Sequence, residues 1–168
     1  ERMVRMNPLD TPWGVPDLEV TMAGRPDSYL VPKVRTKDDL LKIDTVLSRR
    51  ERDLGFPPGE VKLVVLATET PQGLLNIRDF GGCPRVDALS WGAEDLSASI
   101  GARRNRDEKG EFLEVFRYAR IMTLLAATAA NVQPLDTVYV DINDTEGLRR
   151  DCLEGAWMGF TGKITIYP

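Results

Sequence analysis

The sequence predicts an α/β chain of (β/α)8 TIM-barrel type, apparently incomplete, with about six βα units present. Three observations carry the prediction. Short apolar runs of strand character alternate with helical patterns, which implies a parallel sheet joined by right-handed crossovers. The run KLVVLA (62–67) is apolar on successive residues, as a strand buried on both faces requires. Polar residues stand at or just past the end of nearly every run: Arg5 and Asn7, Lys33, Glu69, Glu94 and Asp95, Asp141 and Asp144, and Tyr167. An open doubly wound sheet satisfies the first two observations, but neither GxGxxG nor GxxxxGK[ST] occurs here. Functional residues at the carboxyl ends of several strands are the arrangement of a barrel.

The elements follow in order. MVRMN (3–7) and SYLVPKV (28–34) read as the first two strands. KDDLLKIDTVLSRRERD (37–53) places Leu40, Leu41, Ile43, Val46 and Leu47 on one broad face opposed by charge, which predicts an amphipathic helix. VKLVVLATE (61–69) is the third strand, and Thr70-Pro71 starts the next helix, with proline where its missing N–H costs nothing. VDALSW (86–91) is the fourth strand; it empties into Gly92, Glu94 and Asp95 and a short LSASI helix. IGARRNRDEKGE (100–111) is polar and reads as an inserted surface loop before the long apolar helix EFLEVFRYARIMTLLAATAANV (111–132). DTVYVDI (136–142) is the fifth strand, and Asp144 is a natural N-cap for TEGLRRDCLEGAWMGF (145–160), with Glu146 adding negative charge to the first turn. KITIYP (163–168) is the sixth. Residues 1–168 thus read as a single partial barrel domain. A complete barrel has eight strands, and the chain starts and stops in one, so the expectation is a βα unit before residue 1 and another after residue 168.

Composition narrows the chemistry. Apolar residues make up 42% and charged residues 29%, the balance of an ordinary globular domain. The formal net charge of −4 argues against a general nucleic-acid or anionic-membrane binder, and no apolar run approaches the ~20 residues of a membrane span. Two cysteines, Cys83 and Cys152, are too few for a disulfide framework and point to a reducing, cytoplasmic setting. The chain has no histidine. That removes His-based triads and His-built zinc sites and leaves carboxylates, Arg, Lys and a cofactor or metal to do the work.

The blocks VRMN (4–7), LVPKV (30–34), ETPQGLLN (69–76), VDALSWGAEDLSASIGA (86–102), LDTVYVDINDTEGL (135–148) and MGFTGKITIYP (158–168) resemble, in order and over essentially the whole chain, the citrate lyase beta-subunit-like family. That family includes citryl-CoA, malyl-CoA and citramalyl-CoA lyases. The resemblance implies an Mg²⁺-dependent (β/α)8 barrel, assembled as a homo-oligomer (trimer or hexamer). It would cleave a 3-hydroxyacyl-CoA thioester to acetyl-CoA and a 2-keto acid by retro-Claisen chemistry. Two further readings stand beside it: a thioesterase on the same scaffold, and a non-catalytic truncated barrel or accessory subunit. Where the family commonly has His-Pro, this chain has Tyr167-Pro168, and its acidic first-strand block and its C-terminal lid, which carries a catalytic aspartate, have no counterpart in these residues.

The resemblance assigns Glu69 and Asp95 to the metal. Oxygen ligands suit a hard cation, and two carboxylates leave the other octahedral positions to waters and substrate oxygens. Taken alone, Asp95 could equally cap the LSASI helix, and Glu69 could be a helix-start charge beside Thr70-Pro71. Arg5 matches the family arginine that contacts the substrate's carboxylate and thioester region; the alternative is a salt bridge to a neighbouring acid. Val140 and Asp141 match the block bordering the substrate and CoA, though Asp141 could instead be a cap. Lys33 could touch substrate or pair with an acid, and Glu94 fits a supporting role.

Overall fold

The structure, a computed structural model, describes residues 2–166. Its strands are β1 (Met3–Arg5), β2 (Ser28–Val31), β3 (Lys62–Leu66), β4 (Val86–Ser90), β5 (Gln133–Asp136) and β6 (Gly162–Lys163). Its helices are α1 (Gly14–Thr21), α2 (Lys37–Leu54), α3 (Pro71–Asn76), α4 (Ala93–Ile100), α5 (Glu114–Ala129) and α6 (Thr145–Met158), with 3₁₀ turns at Met22–Gly24 and Ile77–Asp79. Every neighbouring pair of strands is parallel, and the order across the sheet is the order along the chain. A doubly wound sheet would reverse direction part-way. This one advances one strand at a time into a curled half-barrel.

Alternation along the strands builds two apolar layers. Tyr29, Val31, Leu63, Val65 and Leu89 face the helices and pack with Leu18, Leu40, Ile43, Leu47, Ile77 and Phe80. Leu30, Val64, Leu66 and Ala88 make a smaller cluster on the concave face. A third cluster gathers Trp91, Phe112, Phe116 and Phe160 under the segment between α4 and α5. Within it Trp91 and Phe112 meet edge to face at 5.0 Å, and the Arg106 guanidinium lies 3.5 Å from the Phe112 ring centroid. The polar 100–111 stretch is therefore an ordered loop pinned at its base. No helix among the described residues is long and apolar enough to cross a membrane.

At the amino-terminal ends of the strands a buried ion cluster ties α2 to β4. Arg85, at φ 67°, donates to Glu51 at 2.6 and 2.8 Å, to Asp44, and to the Ser48 hydroxyl at 2.8 Å. Glu51 also accepts the Gly59 and Val61 amides at 2.9 and 3.2 Å. Burial alone raises the Glu51 carboxyl, but the Arg85 hydrogen bond, the two amides and the Arg85 charge together hold it below its ordinary value.

Two strands differ from the sequence reading. The fifth was expected over 136–142, yet β5 is Gln133–Asp136, with Ala88 opposite Gln133 and Ser90 opposite Leu135. Asp136 sets that register. Its buried carboxylate accepts from Arg120 at 2.8 Å and from the Trp91 indole at 2.7 Å, and it pairs with Lys163 at 3.4 Å, so the sheet ends where the side chain is trapped. TVYVDI has the alternation of a strand but leaves the sheet, and Val140 and Ile142 are exposed. The sixth strand, expected over 163–168, pairs only at Gly162–Lys163, continued by one bond from the Ile164 amide to the Asp136 carbonyl. Tyr167 and Pro168 lie outside the described residues. The long helix expected from residue 111 begins at Glu114.

Candidate active site

The carboxyl ends of β1 to β4 and the segments that follow them bring Arg5, Lys33, Glu69 and Asp95 together. Glu69 stands three residues past β3 and two before α3. Thr70 caps α3 by accepting the Gly73 amide at 3.0 Å, so the helix start holds the chain immediately after Glu69. Gly73 lets that helix dock closely: a Cβ there would stand 2.4 Å from the Val34 carbonyl oxygen and 2.6 Å from that of Ala67. Gly92 performs the same service on the β4 side, where a Cβ would lie 3.0 Å from Glu69 Cγ.

Glu69 is only 3% exposed, yet it carries a carboxyl group. One oxygen, Oε2, accepts the Lys33 amide at 2.7 Å. Lys33 has φ 53°, an uncommon backbone for a residue with a Cβ. Burial pushes the Glu69 carboxyl up to about 7. The Lys33 amide and the Arg5 charge oppose the rise, while Asp95 adds to it by charge and by hydrogen-bonding the protonated form. Two carboxyl groups this close favour sharing a proton or, better, a cation.

Asp95 lies in the first turn of α4, whose N-cap is Gly92 with no side-chain cap. Its Oδ1 sits 3.2 Å from the Lys33 ammonium. The capping alternative for Asp95 is therefore not the one adopted. Glu94 points elsewhere and accepts the Asn105 side-chain amide at 2.7 Å, tying down the loop before α5. Arg5, exposed at the end of β1, makes no ion pair among the described residues. It lines a cleft of about 240 Å³ with Met6, Asn7, Pro8, Pro32, Lys33 and Asp95. Asn7 is already held by Asp17, to which its amide and side chain donate at 2.8 and 2.9 Å.

Val140 and Asp141 are not brought to this cleft. They lie on the exposed stretch after β5, where Asp141 accepts the Asn143 amide at 3.0 Å in a local turn. Asp144 caps α6, as expected, by accepting the Gly147 amide at 2.8 Å, and it also takes the Tyr139 hydroxyl at 2.7 Å. A larger cavity of about 530 Å³ lies between α5, α6 and the 106–112 loop, remote from the carboxylate pair. Sequence reasoning missed the buried set of Arg120, Asp136, Asp151 and Lys163; an isolated acid inside an apolar strand context, LDT, was its one visible sign.

Among the described residues no three Asp, Glu, Cys or His side chains converge on a metal position. The Glu69–Asp95 pair supplies two carboxylates, the donor type that suits a hard divalent cation.

Comparison with known proteins finds relatives over the whole chain. The model of the HpcH/HpaI aldolase/citrate lyase family matches residues 1–168. The chain is 35% identical over 169 residues to citrate lyase subunit beta of Escherichia coli strain K12, covering 100% of this chain and 54% of that protein. It is 33% identical to (3S)-malyl-CoA thioesterase of Cereibacter sphaeroides (99% and 53%) and 34% identical to the mitochondrial citramalyl-CoA lyase of Mus musculus (100% and 51%). It therefore spans about half the length of the curated relatives it matches. Among solved structures, protein CitE from Mycobacterium tuberculosis in complex with magnesium and acetate superposes with a TM-score of 0.82 at 30% identity, covering 99% of this chain and 63% of that one. A complex of the same protein with magnesium, acetoacetate and coenzyme A gives 0.82 at 30%, covering 99% and 56%.

Proposed function

The chain belongs to the HpcH/HpaI aldolase/citrate lyase family, and on that premise we propose that it forms the catalytic rim of an Mg²⁺-dependent carbon–carbon lyase acting on a CoA thioester. The substrate is a 3-hydroxyacyl-CoA of the citryl-, malyl- or citramalyl-CoA type, and the products are acetyl-CoA and a 2-keto acid. One observation carries the reading: the buried Glu69 carboxyl stands against Asp95, and Asp95 lines a cleft with Arg5 and Lys33.

The donor set fits Mg²⁺. Glu69 is a buried carboxyl that makes no ion pair among the described residues, Asp95 is its close neighbour, and Gly92 keeps the space beside them clear. Glu69 and Asp95 would hold the ion, which when bound supplies a template and Lewis acid for the substrate's carboxylate and hydroxyl oxygens. In cleavage the hydroxyl proton passes to a base as the bond to the acyl-CoA carbon breaks; the electron pair of that bond becomes an enolate on the thioester, which takes up a proton to give acetyl-CoA. Arg5 donates to the oxygen on which that charge collects. The Lys33 amide fixes the direction of the Glu69 carboxylate. Val140 and Asp141 border the CoA portion from the loop after β5. The working enzyme is a completed barrel in a homo-oligomer, a trimer or hexamer.

A thioesterase is the second reading, favoured by the (3S)-malyl-CoA thioesterase relative at 33% identity. One experiment separates them. The protein is incubated with malyl-, citramalyl- and citryl-CoA, with and without Mg²⁺, while 2-keto acid and free CoA are followed. Keto acid with acetyl-CoA, only when Mg²⁺ is present, is the lyase result. Free CoA without keto acid is the hydrolase result. Turnover unaffected by Glu69→Gln refutes both.

A further inference from the structure

We propose that Lys33 is an exchangeable counter-ion of the carboxylate pair. Its ammonium neutralises Asp95 in the metal-free protein, leaves Asp95 when the divalent cation binds, and then grips the substrate's carboxylate beside Arg5. The inference rests on Glu69 and Asp95 being the metal ligands.

Lys33 touches both acids, but through different groups. Its backbone amide donates to Glu69 Oε2 at 2.7 Å, and its ammonium lies 3.2 Å from Asp95 Oδ1. The two contacts differ in permanence. The amide is part of a chain segment anchored on either side by buried Val31 and Val34 and turned inward by the left-handed backbone at Lys33. That contact stays whatever the side chain does. The ammonium rides on a flexible four-carbon stem, and 43% of its side chain and 38% of that of Asp95 are exposed. Such a pair is weak and readily exchanged.

A divalent cation on Asp95 brings two positive charges to one small carboxylate. Their repulsion at contact distance favours departure of the ammonium, the more mobile of the two. Its destination is the same cleft, lined by Arg5, Met6, Asn7, Pro8, Pro32, Lys33 and Asp95, and Asp95 is the single acid in that lining. Within that lining, among the described residues, a released ammonium meets no second acid. Two cations, Arg5 and Lys33, are left facing the cleft, which suits a ligand bearing a carboxylate next to a keto or enolate oxygen, the chemistry of a 2-keto acid.

The test uses Lys33→Met, which deletes the charge and keeps the amide, and Lys33→Arg, which keeps both; Lys33→Gln replaces the Met variant if that one does not fold by circular dichroism. Mg²⁺ binding is measured by titration calorimetry, then pyruvate binding at saturating Mg²⁺. Loss of a half-exposed competing ion pair is expected to tighten Mg²⁺ binding by about two- to five-fold in Lys33→Met. Loss of a charged donor is expected to weaken pyruvate binding by about ten-fold. Lys33→Arg should stay within about two-fold of the parent in both, as an intact positive charge implies. Mg²⁺ binding that weakens or does not change in Lys33→Met overturns the inference, as does unchanged pyruvate binding. If neither parent nor variants bind Mg²⁺, the metal reading falls and this inference with it, a result distinct from failure of the inference alone.

Discussion

Replacing Glu69 by glutamine should make the metal-free protein more stable while destroying its response to Mg²⁺. The carboxyl is held at about 7 in the folded chain against an ordinary 4.5, chiefly by burial. A raised acid pKa means the folded state binds the proton more tightly than the unfolded one. Below the ordinary value both states are protonated and nothing is lost. Between 4.5 and about 7 the unfolded chain ionises first, and stability falls; above about 7 the whole penalty is present. A rise of that size corresponds to about 3 kcal/mol, at about 1.4 kcal/mol per pKa unit. Glutamine has no charge to bury, its side-chain oxygen can still accept the Lys33 amide, and its NH₂ can donate to Asp95. Urea unfolding at pH 8 without metal should therefore show Glu69→Gln more stable by up to about 3 kcal/mol, and the gap should close toward pH 4.5. Adding Mg²⁺ at about 100 times its dissociation constant should stabilise the parent by about 2.7 kcal/mol and leave the variant unmoved. A variant less stable than the parent at pH 8, or one still stabilised by Mg²⁺, refutes the reasoning.

Arg85→Met should cost about 3–5 kcal/mol in urea unfolding, because it strands the buried Glu51 carboxylate. Glu51 lies below its ordinary value, so its contribution is present above that value and lost as pH falls through the depressed one; the gap between parent and Arg85→Met should narrow in that acidic window and not near neutrality. Gly73→Ala would force a Cβ against two carbonyl oxygens, at 2.4 and 2.6 Å, and should lower the melting temperature markedly. Gly82→Ala, where a Cβ meets nothing within 4 Å, should not. Equal melting temperatures for the two glycine variants would show that α3 does not dock as described.

The elements that could be read from sequence were those with local causes. The opposed charges of 37–53 became α2, the helix expected to start at Thr70-Pro71 does so, and the cap expected of Asp144 is made. The doubly apolar KLVVLA became β3, buried from Leu63 on. β5 was misplaced because its limit is set at long range: Asp136 is caught by Arg120 from α5, Trp91 just past β4 and Lys163 from β6, none of which is a neighbour in sequence. The site followed the same division. Polar strand ends flagged Arg5, Lys33, Glu69 and Asp95 individually. The left-handed turn that sends the Lys33 amide into Glu69, and the choice of Lys33 rather than a helix end as the partner of Asp95, depend on the backbone course and leave no pattern in the sequence.

The Arg85–Glu51 cluster and the Glu69–Asp95 pair stand at opposite ends of β3 and β4, with the whole length of those strands between them. That separation uncouples durability from chemistry. Substitutions around Arg85 should add their free energies to those at the rim with little cross-talk. A lineage carrying this scaffold can therefore retune its rim loops while an untouched foundation absorbs the loss of robustness.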